Sequence, residues 1–188
     1  MHEPESLIQV VASHTLFDHP WVKIIQDDLK WHGREQKYFY LSSPVDAVAT
    51  VGLTEAGEIL LTRQYRHPVG QVIYDLPAGR LEPGEAALDG ARREFEEETG
   101  YFPRHMQPIG SYNQFPGTLR VKTHLFFASD LVPSAQHLDE GEELQVVLLP
   151  VEKVLQMILQ GATIDGSLQL GVLLALQHGL LSNTQNPK

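Results

Sequence analysis

The 188-residue sequence contains no cysteine, so it has neither a disulfide framework nor a thiolate to serve as metal ligand or nucleophile. Any metal would have to be held by carboxylates, histidines or carbonyls. Long hydrophobic runs are also missing. The longest candidate, "LGVLLALQHGLL", is broken by Gln177, His178 and Gly179, well short of a bilayer span. The N-terminus, "MHEPESLIQV", has acids where a signal peptide would carry basic residues, which points away from secretion and towards the cytoplasm. Positive charge is scarce: 14 Lys and Arg against 24 Asp and Glu give a net charge of -10. That balance argues against a nucleic-acid backbone as partner, because affinity for one comes from clustered cations. There is no Gly-rich phosphate loop, no dinucleotide fingerprint and no GxSxG elbow. The nine histidines show no HxH or HxxxH pairing, so core or surface roles are expected for them. Membrane and nucleic-acid partners are thus both set aside, and a small phosphate-bearing ligand remains allowed if a cation bridges it to the acids.

What is present begins with strands. "HTLFDHPWVKIIQDDLKW" and "EQKYFYLSS" are rich in aromatic and β-branched residues around a turn-like His32-Gly33, predicting an N-terminal hairpin or meander. "DAVATVGL" and "EILLTRQYR", separated by Glu55-Ala56-Gly57, predict a second hairpin. Shorter strands follow at "VIYDLP", "QPIGSYNQF", "VKTHLFFAS" and "LQVVLLP". "VEKVLQMILQG" and "SLQLGVLLALQHG" have helical apolar spacing and each stops at a Gly. Strands with one central and two terminal helices predict an α/β sandwich. The expected division is 1–44 for an N-terminal antiparallel β meander, 45–181 for the main domain and 182–188 for a tail.

The central helix is the unusual element. In "GRLEPGEAALDGARREFEEETGY", Ala87, Ala91 and Phe95 recur every fourth residue as an apolar stripe, and Gly100 is a natural stop. Glu94, Glu97 and Glu98 stand at i, i+3 and i+4 on one face. Like charges at that spacing repel, and acids near a helix C-terminus also oppose its dipole. A solvated acidic face is the ordinary reading of such a run. A divalent cation removes the conflict, and Mg²⁺ accepts carboxylate oxygens, keeps several waters and is completed by substrate phosphates.

Gly79, Glu85, Arg93-Glu94, Phe95, Glu97-Glu98, Gly100 and Tyr101 reproduce every fixed position of the Nudix box, and the sequence resembles that hydrolase family. The resemblance implies a Nudix fold, an α/β/α sandwich with a mixed sheet, and Mg²⁺-dependent hydrolysis of a nucleoside diphosphate linked to another group, with Mn²⁺ able to substitute. It makes Glu94 and Glu98 metal ligands, with Glu97 a ligand to a further ion or an acid behind the first. The carbonyl of Ala78 resembles another ligand. Glu85 and Arg93 brace the loop and helix in that family.

The flanks narrow the substrate. "LTRQYRHPVGQVIYDLPAG" resembles ADP-ribose pyrophosphatases, and Pro116, sixteen residues beyond Gly100, has a spacing typical of them. The likeness covers roughly Val45 to Leu176. It assigns Arg66 to the diphosphate or terminal sugar and Pro116 to the substrate loop, with Trp21 and Phe39 as candidate stacking partners for a nucleobase. These enzymes commonly carry a Glu shortly after the loop Pro-Gly, whereas "PGTLRVKTHLFFAS" has no acid before Asp130. GDP-mannose or another sugar nucleotide is therefore an open alternative. A base from the later "LDEGEELQVV" is implied instead, Glu140 or Glu142, with Glu97 or Glu143 next in line. The resemblance further implies a homodimer in which the N-terminal strands complete the partner's site. A non-catalytic nucleotide sensor and an RNA-decapping enzyme remain as rivals, the latter disfavoured by the charge.

Overall fold

The computed structural model describes residues 8–141, 143–163 and 165–182. The chain runs β1 (Ile8–Asp18), β2 (Lys23–Trp31), β3 (Arg34–Ser42), β4 (Ala47–Leu53), β5 (Glu58–Arg66), β6 (Gln71–Asp75), β7 (Ala78–Arg80) and α1 (Ala87–Thr99). It continues with β8 (Tyr101–Asn113), β9 (Leu119–Arg120), β10 (Lys122–Pro133), β11 (Leu144–Pro150), α2 (Val151–Leu159) and α3 (Gly166–Gln177). Two compact units result, one of residues 1–46 with 113–122, the other of 47–112 with 123–188.

The first unit is a four-stranded sheet in the order β1-β2-β3-β9. His32 and Gly33, both at positive φ, make the two-residue turn between β2 and β3, and Trp31 pairs with Arg34 across it. Such primed turns match the right-handed twist of the flanking strands. The predicted meander is therefore present, with three long antiparallel strands. The segment carrying Pro116 adds to it: β9 lies parallel to β3, and the Tyr38 hydroxyl donates to the Gly117 carbonyl at 2.6 Å. Ile25 is the one buried side chain among the described residues of this unit.

In the second unit a seven-stranded mixed sheet has the path β11-β5-β4-β10-β8, with β6 on β5 and β7 on β4. Strand alternation gives it two apolar faces. Val48, Leu60, Phe126 and Ala128 pack against Ala91 and Phe95 of α1. Ala49, Val51, Ile59, Leu61, Leu125 and Phe127 cluster with Val151 and Val154 of α2 and Leu168, Val172 and Ala175 of α3. The sheet is thus the middle layer of an α/β/α sandwich, as expected. The second hairpin is looser than the sequence suggests. Beyond Gly52↔Leu60 and Leu53↔Ile59, β4 leaves β5 and pairs on that edge with β7, while its other edge pairs in parallel with β10.

Phe95 fastens α1. It is fully buried, which for an aromatic of this size contributes about 1.5–3 kcal/mol. Gly52 makes the room: a Cβ there would stand 2.6 Å from the Phe95 ring. Glu94 and Glu98 flank the buried stripe, on the side of α1 that meets β7.

Candidate active site

Helix α1 is approached through β7 and a short loop that the acids themselves order. Glu82 donates its N–H to the Glu85 carboxylate at 2.8 Å, and Gly84 adopts a left-handed φ of 83°. Glu85 then takes a forked pair from Arg93, 2.9 Å to each oxygen. The remaining Arg93 donors reach Glu94 at 2.9 Å, Glu97 at 3.0 Å and the Arg80 carbonyl at 3.1 Å. Every N–H that a guanidinium possesses is thereby used. The Arg93 bonds hold the Glu85 carboxyl below its ordinary range, and Glu85 in turn raises the guanidinium above its own.

Glu98 lies one turn on, 5% exposed, its Oε2 accepting the Ala78 N–H at 2.9 Å. Glu94 stands over Gly79, where a Cβ would fall 2.0 Å from its carboxylate. The Glu94 carboxylate therefore occupies the space a side chain at 79 would fill. Past β10, the chain returns to the end of α1: Gln136 donates to the Glu98 carbonyl at 2.7 Å and the His137 N–H to that of Glu97 at 2.9 Å. These contacts satisfy carbonyls that a helix end leaves orphaned.

The structure thus brings Ala78 to Glu98 and Arg93 to Glu94 and Glu97, and Arg66 lies in the same unit at the end of β5. Glu140 is exposed there, in a turn beside Gly141, and Glu142 lies outside the described residues. Trp21, Phe39 and Pro116 belong to the first unit; Trp21 and Phe39 are 68% and 53% exposed. Arg66 ends β5 and is already engaged, donating its Nε to Asp75 at 3.2 Å.

The NUDIX domain profile matches residues 43–168. The chain belongs to the Nudix family. An ADP-ribose pyrophosphatase of Bacillus subtilis is 30% identical, the match covering 80% of this chain and 82% of the relative. A methanol dehydrogenase activator of Bacillus methanolicus is 32% identical over 92% of this chain and 95% of its own. An ADP-ribose pyrophosphatase of Mycobacterium tuberculosis is 28% identical, covering 76% and 69%. Among solved structures, an ADP compounds hydrolase superposes with a TM-score of 0.83 at 20% identity, covering 92% of this chain and 94% of its own, which shows a shared fold.

This Nudix hydrolase therefore belongs with enzymes that generally use divalent cations. Its residues suit one chemically. The α1 face offers carboxylate oxygens, the donors hard cations prefer, and the missing side chain of Gly79 makes room for that of Glu94. In the conformation described, Arg93 neutralises part of that face, and no three acidic or histidine groups among the described residues close around a single point.

Two residues of this region escape sequence reasoning. Asp75 is 3% exposed, and Asp165 caps α3 by accepting the Leu168 N–H at 2.7 Å. Only the second left a trace, as an Asp directly before Gly166-Ser167 at a helix start.

Proposed function

We propose that this Nudix hydrolase cleaves the diphosphate bond of ADP-ribose or a related nucleoside diphosphate sugar in a Mg²⁺-dependent reaction, with Mn²⁺ able to substitute. For ADP-ribose the products are AMP and ribose 5-phosphate. The observation that carries the reading is the carboxylate face of α1, ordered by Arg93 over a glycine. The ADP-ribose pyrophosphatases among the relatives support the substrate class. A GDP-mannose-type sugar nucleotide is the alternative within that class.

Glu94, Glu98 and the carbonyl of Ala78 would hold the cation, with Glu97 serving a further ion or orienting the first set. Such an ion supplies charge neutralisation for the diphosphate and acidifies a bound water. Arg93 keeps the loop and the acidic face in register. Arg66 holds diphosphate oxygens with its planar fork. Trp21 and Phe39 stack on the base, with the Pro116 loop beside the substrate. The proton of the attacking water passes to a carboxylate of the later loop, Glu142 or Glu140. Of Glu140→Gln and Glu142→Gln, one is expected to lower kcat by about 100-fold, the lower end of general-base effects, with KM nearly unchanged. Near-normal kcat in both would move the base to Glu97 or Glu143.

The division of labour follows: residues 1–44 for dimerisation and base binding, 45–181 for hydrolysis, in a cytoplasmic homodimer. Val10, Val11, Phe17 and Phe39 are exposed on a sheet with one buried side chain among those described, and Trp21 is exposed in the turn between β1 and β2. So thin a sheet gains stability by covering that surface with a second copy. Sedimentation at assay concentration is expected to show a dimer, and an active monomer would contradict it. The substrate is tested with a panel of nucleoside diphosphate sugars, dinucleotides and nucleoside triphosphates in Mg²⁺ and Mn²⁺. AMP release from ADP-ribose supports the reading, whereas tight binding without hydrolysis would favour a sensor. A second reading, activation of an alcohol dehydrogenase, is favoured by the near full-length match to a methanol dehydrogenase activator. Adding this chain to such a dehydrogenase and following its turnover checks it.

A further inference from the structure

Behind Arg66 stands a carboxyl pair that the reaction above leaves unused. Asp75 ends β6, almost fully buried, and its Oδ2 accepts both Nε and Nη2 of Arg66. Asp165, half-buried at the start of α3, lies close enough to Asp75 for the two carboxyls to act on each other, while its Oδ1 holds the Leu168 N–H at 2.7 Å. Two carboxyls this close and away from water do not both ionise readily. Burial first, then the charge of Asp75, pushes Asp165 up to about 6, with the Leu168 N–H and Arg66 pulling the other way. Tyr112 of β8 is the further titratable group that faces the pair; burial raises its phenol, and its hydroxyl bonds Ser167 at 2.7 Å. With Asp165 protonated, Asp75 and Arg66 balance and the cluster is neutral. With Asp165 ionised, the cluster is negative.

We propose that Asp165 is a positioning residue for Arg66: by hydrogen-bonding Asp75 it holds the carboxylate on which the guanidinium rests, and the proton it carries sets the charge that Arg66 presents to a diphosphate. The proposal rests on Arg66 being the diphosphate-binding arginine. A negative cluster repels an incoming diphosphate and draws the guanidinium inward, so affinity falls as Asp165 ionises. Linkage makes this reciprocal: bound substrate must raise the proton affinity of Asp165 by the same factor.

The test uses the full chain in EDTA, which withholds the cation that turnover needs, with the Kd of ADP-ribose measured from about pH 5 to about pH 8 beside carbon-13 NMR of the carboxyls. Kd is expected to weaken about 5-fold through the Asp165 titration, the lower end for coupled sites. ADP-ribose should move that titration upward to match. Asp165→Asn keeps a cap and an amide donor for Asp75, so its Kd should be flat over the same range. A folded-state carboxyl raised from 3.8 to about 6 contributes stability that is full below 3.8 and lost as pH rises through 6. The thermal midpoint of wild type should accordingly fall over that window and that of Asp165→Asn should not. An Asp165 titration unmoved by ADP-ribose, or a Kd step that persists in Asp165→Asn, overturns the proposal. If the variant does not fold, the ligand-induced shift in the wild-type titration decides alone. Turnover in Mg²⁺ without the shift sinks the positioning role and leaves the hydrolase reading; the shift without turnover does the reverse. Failure of ADP-ribose to bind at any pH refutes the positioning role, and absence of turnover in Mg²⁺ refutes the hydrolase reading.

Discussion

Glu98→Gln is expected to lower kcat/KM by about 10³-fold while moving the thermal midpoint by only a few degrees. The size follows from the several kcal/mol of charge stabilisation that a bound cation provides, at about 1.4 kcal/mol per factor of ten. The small structural effect follows from what Glu98 touches. Its Oε2 accepts the Ala78 N–H at 2.9 Å, and the carbonyl oxygen of a glutamine can do the same in the same space. An amide is also less costly to bury than a carboxylate at 5% exposure, and it removes one like charge from the face that Glu94 and Glu97 share. Calorimetric melting beside kcat/KM at limiting Mg²⁺ checks both halves. Unchanged kcat/KM removes Glu98 from the metal site. A variant that unfolds instead would mean that its charge, and not its shape, holds β7 to α1.

Legibility in the sequence followed the range of each interaction. The spacing of Ala87, Ala91 and Phe95 placed α1 and its buried face, because helical periodicity is set within a turn or two. The same locality exposed the Glu94, Glu97 and Glu98 face and the two-residue turn at His32-Gly33. Long-range pairing was not legible. "DAVATVGL" reads as one arm of a hairpin, yet its first half pairs with Ala78–Arg80 and with β10, partners chosen by the tertiary fold. The Asn113–Lys122 segment lies between two strands of one sheet and joins the other, a choice made by β3 and Tyr38. At the site, Arg66, Asp75 and Asp165 meet from three separate elements, so no spacing rule could connect them. The Gln136 and His137 bonds to the end of α1 are hidden for the same reason, and the His137 bond uses a backbone N–H that every residue except proline has.

Arg93 concentrates more of the site's order than any glutamate, and Arg93→Ala is expected to destabilise the fold by about 3 kcal/mol. Removing one partner of a largely buried ion pair costs about 3–5 kcal/mol, and the lower end applies because its side chain is 27% exposed. Truncation leaves the Glu85 carboxylate without its fork, the Arg80 carbonyl without its donor, and Glu94 and Glu97 without the charge between them. The depressed Glu85 carboxyl contributes stability that is present above the ordinary carboxylate range and lost as pH falls through its lowered value. Arg93→Ala should therefore lose most at neutral pH and least in acid. Arg93→Lys should recover little, since an ammonium cannot span both oxygens of Glu85. Divalent cation supplies the missing positive charge, so the midpoint of Arg93→Ala should rise with Mg²⁺ more steeply than that of wild type. Melting curves of both proteins, with EDTA and with increasing Mg²⁺, read this directly. Equal Mg²⁺ slopes would mean that the ion does not bind at Glu94 and Glu97, and the acidic face of α1 would lose its role as the cation cradle.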